Sequence, residues 1–243
     1  MNALKHVKAY AKALAALYFT IKQKTMSANK ESVLVAGANG TTGRIIVQLL
    51  QESQYFTPVA MLRNEEQVAK FKEQKVRTVL ADLEESLDHT LKDIDKVVFA
   101  AGSGGHTPPE KTTAVDQEGA KNLIEASRKA GVDKFVMLSA INADDPGSSE
   151  KLGHYLEAKK IADEYLVASG LNYAILRPGT LKNDPGTGKV KIAGKLNEGG
   201  KISREDVARV IVAALNDDTA NNETFEIIEG ETLIGKALHG VSA

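Results

Sequence analysis

Two groups of residues in this chain could do chemistry together. The first is Gly37-Ala38-Asn39-Gly40-Thr41-Thr42-Gly43, directly after the apolar run Val33-Leu34-Val35-Ala36. The second is Tyr155-Leu156-Glu157-Ala158-Lys159. A glycine-rich turn between a strand and a helix can cradle a pyrophosphate. Gly37 permits the tight turn, Gly40 removes a side chain where backbone must approach the phosphates, and Gly43 lets the helix pack close to the strand. The helix N-terminus adds free N–H groups and the positive end of its dipole. Asn39, Thr41 and Thr42 can add side-chain hydrogen bonds. A phenol and an ammonium at i and i+4 share one helix face. There the ammonium stabilises the phenolate, which can exchange a proton with a carbonyl or an alcohol near neutral pH. A cradle alone implies a bound nucleotide. A cradle followed by this pair implies a nicotinamide with a proton moved beside it.

These groups need elements to hold them. Strand and helix patterns alternate at about 33–36, 43–53, 59–62, 65–73, 76–81, 95–101, 112–130, 134–139, 154–169 and 172–176. This is the βαβ rhythm of a parallel sheet. The second strand ends at Arg63. A cation there pairs with a 2′-phosphate and selects NADP, where an acid would accept from a ribose hydroxyl and select NAD. Glu65 and Glu66 come late for that contact. A solvated surface cation is the competing reading of Arg63, and Arg44 is a second candidate phosphate partner. Asp82 ends the third strand, where an adenine amino group could find an acceptor. The fourth ends in Ala100, Ala101 and Gly102, small enough for a dinucleotide to lie flat; ordinary turn chemistry competes at both. The fifth strand ends at Ser139, placed to hold a substrate oxygen. The helix after it carries Tyr155 and Lys159, and Glu157, Lys160 and Glu164 beside them leave a solvated charged face as the alternative.

Six landmarks in order and spacing carry a family resemblance. They are Gly37-x-x-Gly40-x-x-Gly43, Asp82-Leu83, Leu138-Ser139, Tyr155-x-x-x-Lys159, Leu176-Arg177-Pro178-Gly179 and Ile202-Ser203-Arg204-Glu205-Asp206-Val207-Ala208. From about Ser32 to Leu238 the chain resembles the atypical, NAD(P)-binding branch of the short-chain dehydrogenase/reductases, the NAD-dependent epimerase/dehydratase type. The resemblance implies an α/β fold, a single Rossmann-type doubly wound parallel sheet with a small C-terminal substrate-side region. It sets Asp82, Leu83, Pro178 and Gly179 against the cofactor, the last two near the nicotinamide. It implies hydride transfer between nicotinamide C4 and a carbonyl carbon, with Tyr155 as acid/base, Lys159 orienting the ribose and Ser139 as a further hydroxyl. The cofactor expected is NADP, with NAD possible.

Two departures qualify the match. Many relatives carry Ser-Ser or Ser-Thr where this chain has Ser139-Ala140, so the usual hydroxyl can fall on Ala140 and be lost. After Arg-Pro-Gly only Thr180 to Ala243 follow, short for a sugar-nucleotide domain. A small-molecule reductase is therefore expected rather than a sugar-nucleotide epimerase. Flavin-type reductases of the family do not depend on a Tyr/Lys pair, so its presence points to carbonyl or alcohol chemistry. The alternative of another class is an NADP(H)-binding regulatory or assembly protein without turnover, because fold does not fix function.

Composition narrows the rest. At 243 residues the chain suits one α/β domain over 31–243. A net charge of −1 argues against nucleic acid as the main partner. There is no cysteine, hence no disulfide and no thiolate chemistry. That fits a reducing, cytoplasmic setting. None of His6, His89, His106, His154 and His239 has ligand spacing, so no metal is expected. His154 adjoins Tyr155 and either lines the site or lies on the surface. No apolar run reaches membrane-span length. Residues 102–109 and 182–200 are glycine-rich and read as lids over substrate or as plain loops. Ser203 with Asp206 resembles a capping box, and Thr224 to Ile228 reads as a last strand.

Residues 1–30 stand apart. They carry Lys5, Lys8, Lys12, Lys22, Lys24 and Lys30 and no acid. Leu4, Val7, Ala11, Leu14, Tyr18 and Ile21 give one apolar helical face. Four readings compete: contact with another subunit or a protein partner, a targeting peptide for an organelle, a helix on an anionic membrane surface, or an upstream start with Met26 as the natural first residue.

Overall fold

Residues 30–104 and 107–241 are described in this computed structural model. The amphipathic helix expected over 1–30 and His106 of the expected 102–109 lid lie outside the described residues.

Apolar positions alternate along the strands and sort onto two faces. In β1 (Glu31–Ala36) Val33 and Val35 pack into one core, Leu34 and Ala36 into the other, and all four are fully buried. A strand buried on both faces reads as an unbroken apolar run, which marks a central parallel strand. The elements that follow are α1 (Thr41–Glu52), β2 (Phe56–Leu62), α2 (Glu65–Glu73), β3 (Arg77–Leu80) and β4 (Lys96–Phe99). Then α3 runs as Pro109–Thr112, a π-helical stretch Thr113–Gly119, and Ala120–Ala130. β5 (Lys134–Leu138), α4 (Gly153–Ala168), β6 (Tyr173–Pro178), β7 (Thr180–Lys182), β8 (Lys189–Ala193) and β9 (Lys201–Ser203) come next. α5 (Arg204–Ala214), β10 (Glu223–Glu229), β11 (Thr232–Leu233) and α6 (Ile234–His239) complete the order.

Among the described residues the main sheet has the order β11-β8-β10-β6-β5-β4-β1-β2-β3. From β3 to β10 every neighbouring pair is parallel. Ile46, Val47 and Leu50 of α1, Val68 and Phe71 of α2, and Val207, Val210 and Ile211 of α5 cover one face. Leu123 and Ile124 of α3 and Ala162 and Leu166 of α4 cover the other. This is the expected doubly wound Rossmann-type sheet. No helix among the described residues is long and apolar enough to cross a membrane.

The segment 182–200 corrects the lid expectation there. It contains β8, which pairs antiparallel with β10, Ile192 opposite Ile227 and Val190 opposite Glu229. Lys189-Val190-Lys191-Ile192 alternates polar and apolar, and Val190 is fully buried, so the glycines flank a strand rather than forming one loop. Half of the expected capping box is present. The Ser203 hydroxyl accepts from the Asp206 N–H at 2.9 Å. The Asp206 carboxylate instead accepts the N–H groups of Thr187 and Gly188, each at 2.8 Å, and so pins the turn before β8.

Candidate active site

The strand order reverses between β1 and β4, and in such sheets the crevice at the carboxyl ends of the strands receives the ligand. Two adjoining clefts of about 570 and 450 Å³ lie there and share walls at Gly40, Ala100, Ala101, Gly102 and Ser103. Gly37 has a φ of +83°, and a Cβ on it would meet the Ala100 carbonyl carbon at 2.6 Å. A Cβ on Gly43 would lie 2.1 Å from the Gly37 carbonyl oxygen. Only glycine allows β1, the turn, α1 and the end of β4 to close this tightly. Gly40 caps α1 with no side-chain hydrogen bond. The first-turn amides beside Thr41 and Thr42 therefore serve the cleft that these residues line. This bare cradle fits a dinucleotide pyrophosphate.

The smaller cleft holds the other expected cofactor residues: Gly37, Asn39, Arg63, Asp82 and Leu83. Arg63 is exposed and has no ion-pair partner among the described residues. The Asp82 carboxylate accepts the Glu84 N–H at 3.1 Å. Arg44 lines neither cleft; its guanidinium donates to Asn39 Oδ1 at 2.7 Å and braces the turn. Pro178 and Gly179 also line neither cleft. The Pro178 carbonyl accepts from Ile141 N–H, and a Cβ on Gly179 would meet Gly200 O at 2.4 Å. From that segment Leu181 is the residue that reaches the larger cleft.

Tyr155, Lys159 and Ser139 meet in the larger cleft. The Lys159 ammonium lies 5.7 Å from the Tyr155 ring centroid and 5.8 Å from that of Phe99. Lys159 is buried, pairs with Asp116 Oδ1 at 3.0 Å and donates to the Leu138 carbonyl at 3.4 Å. Burial alone pulls the Lys159 pKa down. Tyr155, Asp116 and Asp163 together outweigh it and hold the group above the ordinary lysine value, as an ammonium. Ser139, not Ala140, lines the cleft. Its buried hydroxyl donates to Asp163 Oδ2 at 2.8 Å, and the same oxygen takes the Arg177 Nε–H at 2.9 Å. Burial pushes the Asp163 carboxyl up, against the pull of Arg177 and the Ser139 hydroxyl. With its proton engaged, Ser139 still has lone pairs to accept with. His154 also lines the cleft; its Nε2 sits 2.9 Å from Pro109 O and 3.2 Å from Thr113 Oγ1, tying α4 to α3.

Asp116 and Asp163 are the residues that motif reading passed over; Arg177 was named within its landmark, but not its bond to Asp163. Asp116 is fully buried and also accepts the Ser103 N–H at 2.8 Å. It thus links Lys159 to the segment after β4. It projects from the π-helical stretch, a widened turn that is frequent at functional sites. A signal was present: Asp116 falls on the same helical stripe as Ala120 and Leu123, and a carboxylate on an apolar stripe needs a buried cation.

Comparison with known proteins agrees with this geometry. The NAD(P)H-binding family profile matches residues 37–218. A Bacillus subtilis protein, YhfK, named as an uncharacterized sugar epimerase, is 43% identical over 210 residues, 85% of this chain and 98% of that protein. Sanguinarine reductase of Eschscholzia californica is 26% identical over 256 residues, 87% of this chain and 93% of its own. Photosystem II assembly factor Ycf39 of Cyanophora paradoxa is 33% identical over 150 residues, 60% of this chain and 44% of its own. A solved structure from Bacillus halodurans, described as a candidate NAD-dependent epimerase/dehydratase, superposes with a TM-score of 0.82 at 40% identity over 86% of this chain and 99% of that one. Cradle, sheet and relatives converge: the chain belongs to the NAD(P)H-binding family of Rossmann-fold proteins.

Proposed function

We propose that the protein is an NADPH-linked reductase acting on the carbonyl group of a small molecule, with the reverse alcohol oxidation open to it. The observation that carries this is the phenol of Tyr155 beside a buried, carboxylate-paired ammonium in the cleft that the pyrophosphate cradle also lines. When bound in this cleft, the nicotinamide supplies the hydride. Tyr155 holds the proton that the carbonyl oxygen takes up. Lys159 stabilises the phenolate left behind and orients the ribose. Asp116 fixes Lys159 in place, and Ser139, its own proton held by Asp163, accepts from the hydroxyl of the alcohol form of the substrate. The case for NADP over NAD is Arg63, exposed in the adenosine-side cleft without a carboxylate partner among the described residues. A relative that is itself a reductase supports the same class.

A second reading is a nucleotide-binding assembly protein without turnover. What favours it is the similarity to Ycf39 over 150 residues. Tyr155→Phe separates the two. NADPH binding, read from nicotinamide fluorescence, is expected to stay within about twofold, while NADPH oxidation by carbonyl compounds falls about 10²–10⁴-fold. Equal oxidation by the variant would remove Tyr155 from the chemistry. Absence of turnover in the unmodified protein across a carbonyl panel, with NADPH bound, would leave the assembly reading. In parallel, Arg63→Asp is expected to weaken NADPH by about tenfold or more and NADH little. Unchanged NADPH affinity would return Arg63 to the surface.

A further inference from the structure

The larger cleft also has lining residues that take no part in the proton transfer. Lys151 and Leu152 stand at one side, just before α4; Leu181 and Arg204 stand at the other, the latter opening α5. These helices cover opposite faces of the sheet, so the two cations approach the cleft from different sides. The cleft has a single carboxylate, Asp116, and Lys159 already pairs with it. Lys151 and Arg204 have no carboxylate partner among the described residues. Two cations elsewhere on the C-terminal side are matched: Lys182 with Glu229 at 2.8 Å, Lys195 with Asp144 at 2.7 Å. The chain as a whole carries −1, so this local positive excess is not a general property of its surface. In a concave, partly apolar site such an excess attracts anions.

Arg204 is half-buried and donates to Asn183 Oδ1 at 2.8 Å. A neutral amide holds the guanidinium without cancelling its charge, and the remaining edge of the fork suits a planar carboxylate. Leu152, 51% exposed, and Leu181 add apolar surface to the same cleft. We infer that the substrate is an anion: a carbonyl compound with an apolar body and a carboxylate, gripped by Arg204 with Lys151 adding to the field. This rests on the reductase reading of the same cleft. A competing use of Arg204 exists, because Thr41 and Thr42 line the cleft too and a pyrophosphate would lie near them.

The test reads binding first, so that it does not depend on turnover. The full chain is saturated with NADP⁺, which has no hydride to give, and titrated with 4-carboxybenzaldehyde and separately with its methyl ester. The acid is expected to bind about tenfold or more tightly than the ester, with the gap shrinking as salt is raised. Arg204→Gln is expected to lower acid affinity about tenfold and Lys151→Gln about two- to fivefold. Ester and NADP⁺ affinities should move little in either variant. Lys151 is exposed, so its variant keeps the test informative if Arg204→Gln folds poorly. Equal binding of acid and ester, or no saturable binding of the acid, overturns the inference. So does an Arg204→Gln variant that loses NADP⁺ affinity and keeps the acid-to-ester ratio, since Arg204 then serves the pyrophosphate. NADPH oxidation with the same pair is the separate arm: an acid bound selectively but not reduced sinks the reductase reading and leaves the anion site standing.

Discussion

β5 has a buried lysine at each end, and the two are held in opposite ways. At the carboxyl end the Leu138 carbonyl accepts from Lys159, whose charge Asp116 balances at 3.0 Å. At the amino end Lys134 is fully buried and donates to Asn216 O at 2.9 Å, Thr219 O at 2.5 Å and Asn221 Oδ1 at 2.7 Å. None of those oxygens is charged. Burial, and then the ammonium of Lys96 opposite it on β4, pull Lys134 down to about 8. Lys159, also buried, is driven up by its anionic neighbours. A buried lysine thus becomes a fixed charge where a carboxylate is buried with it and a titrating group where its hydrogen-bond acceptors are neutral and a second ammonium lies near. The first kind opens on a cleft lined by a tyrosine. The second ties down the chain that follows α5, where Lys96 also donates to the Leu215 carbonyl at 2.9 Å.

The largest expected effect breaks the carboxyl end. Lys159→Met leaves the buried Asp116 carboxylate unbalanced, which costs about 3–5 kcal/mol, and NADPH oxidation should fall by about 10²-fold or more. Urea unfolding and NADPH oxidation measured together separate the two losses. Lys159→Met with Asp116→Asn removes both charges and keeps an acceptor for the Ser103 N–H. That double variant should regain most of the stability and none of the turnover. If it regains both, the pair is a structural ion pair and the contrast with Lys134 disappears.

A smaller effect is expected at the amino end. Lys134→Met removes three hydrogen bonds from a buried ammonium, whose acceptors belong to half-buried Thr219 and exposed Asn216 and Asn221, a loss of about 1–3 kcal/mol in urea unfolding. NADPH affinity and oxidation should stay within about twofold, because nothing at that end lines either cleft. A tenfold change in NADPH affinity would mean that the ends of β5 are coupled and would undo the separation of roles.

The two ends also differ in what could be read from sequence. The cradle is local in spacing: Gly37, Gly40 and Gly43 fall within seven residues, although the close approach that Gly37 permits is to Ala100. So is the i, i+4 spacing of Tyr155 and Lys159. The parallel strands announce themselves as apolar runs because both faces are covered. Long-range pairing is what escaped. Ser139 and Asp163 are 24 residues apart, and Lys134 reaches an acceptor 87 residues away. In sequence nothing in Asp163, Lys134 or Asn221 announces its partner. β8 escaped because Lys189 and Lys191 alternate with Val190 and Ile192 inside a glycine-rich stretch. The Ser139 hydroxyl was foreseen in the cleft, but not its engagement with Asp163, since Asp163 lies on a helix whose charges looked solvated.

The smallest expected effect is the sharpest test of why the two lysines differ. Lys134 sits near 8 when folded and near 10.5 when not. Between those values the unfolded chain keeps a proton that the folded chain has released, so stability rises with pH. Relative to Lys134→Met, the unmodified protein should gain about 1 kcal/mol of unfolding free energy from pH 8 to pH 9. Comparing the two proteins cancels the tyrosines and other lysines that titrate in the same range. Parallel curves would mean that three oxygen dipoles hold the ammonium as firmly as the Asp116 carboxylate holds Lys159. Burial near Lys96 would then not be what sets the two ends apart, and the difference between them would lie in the cleft alone.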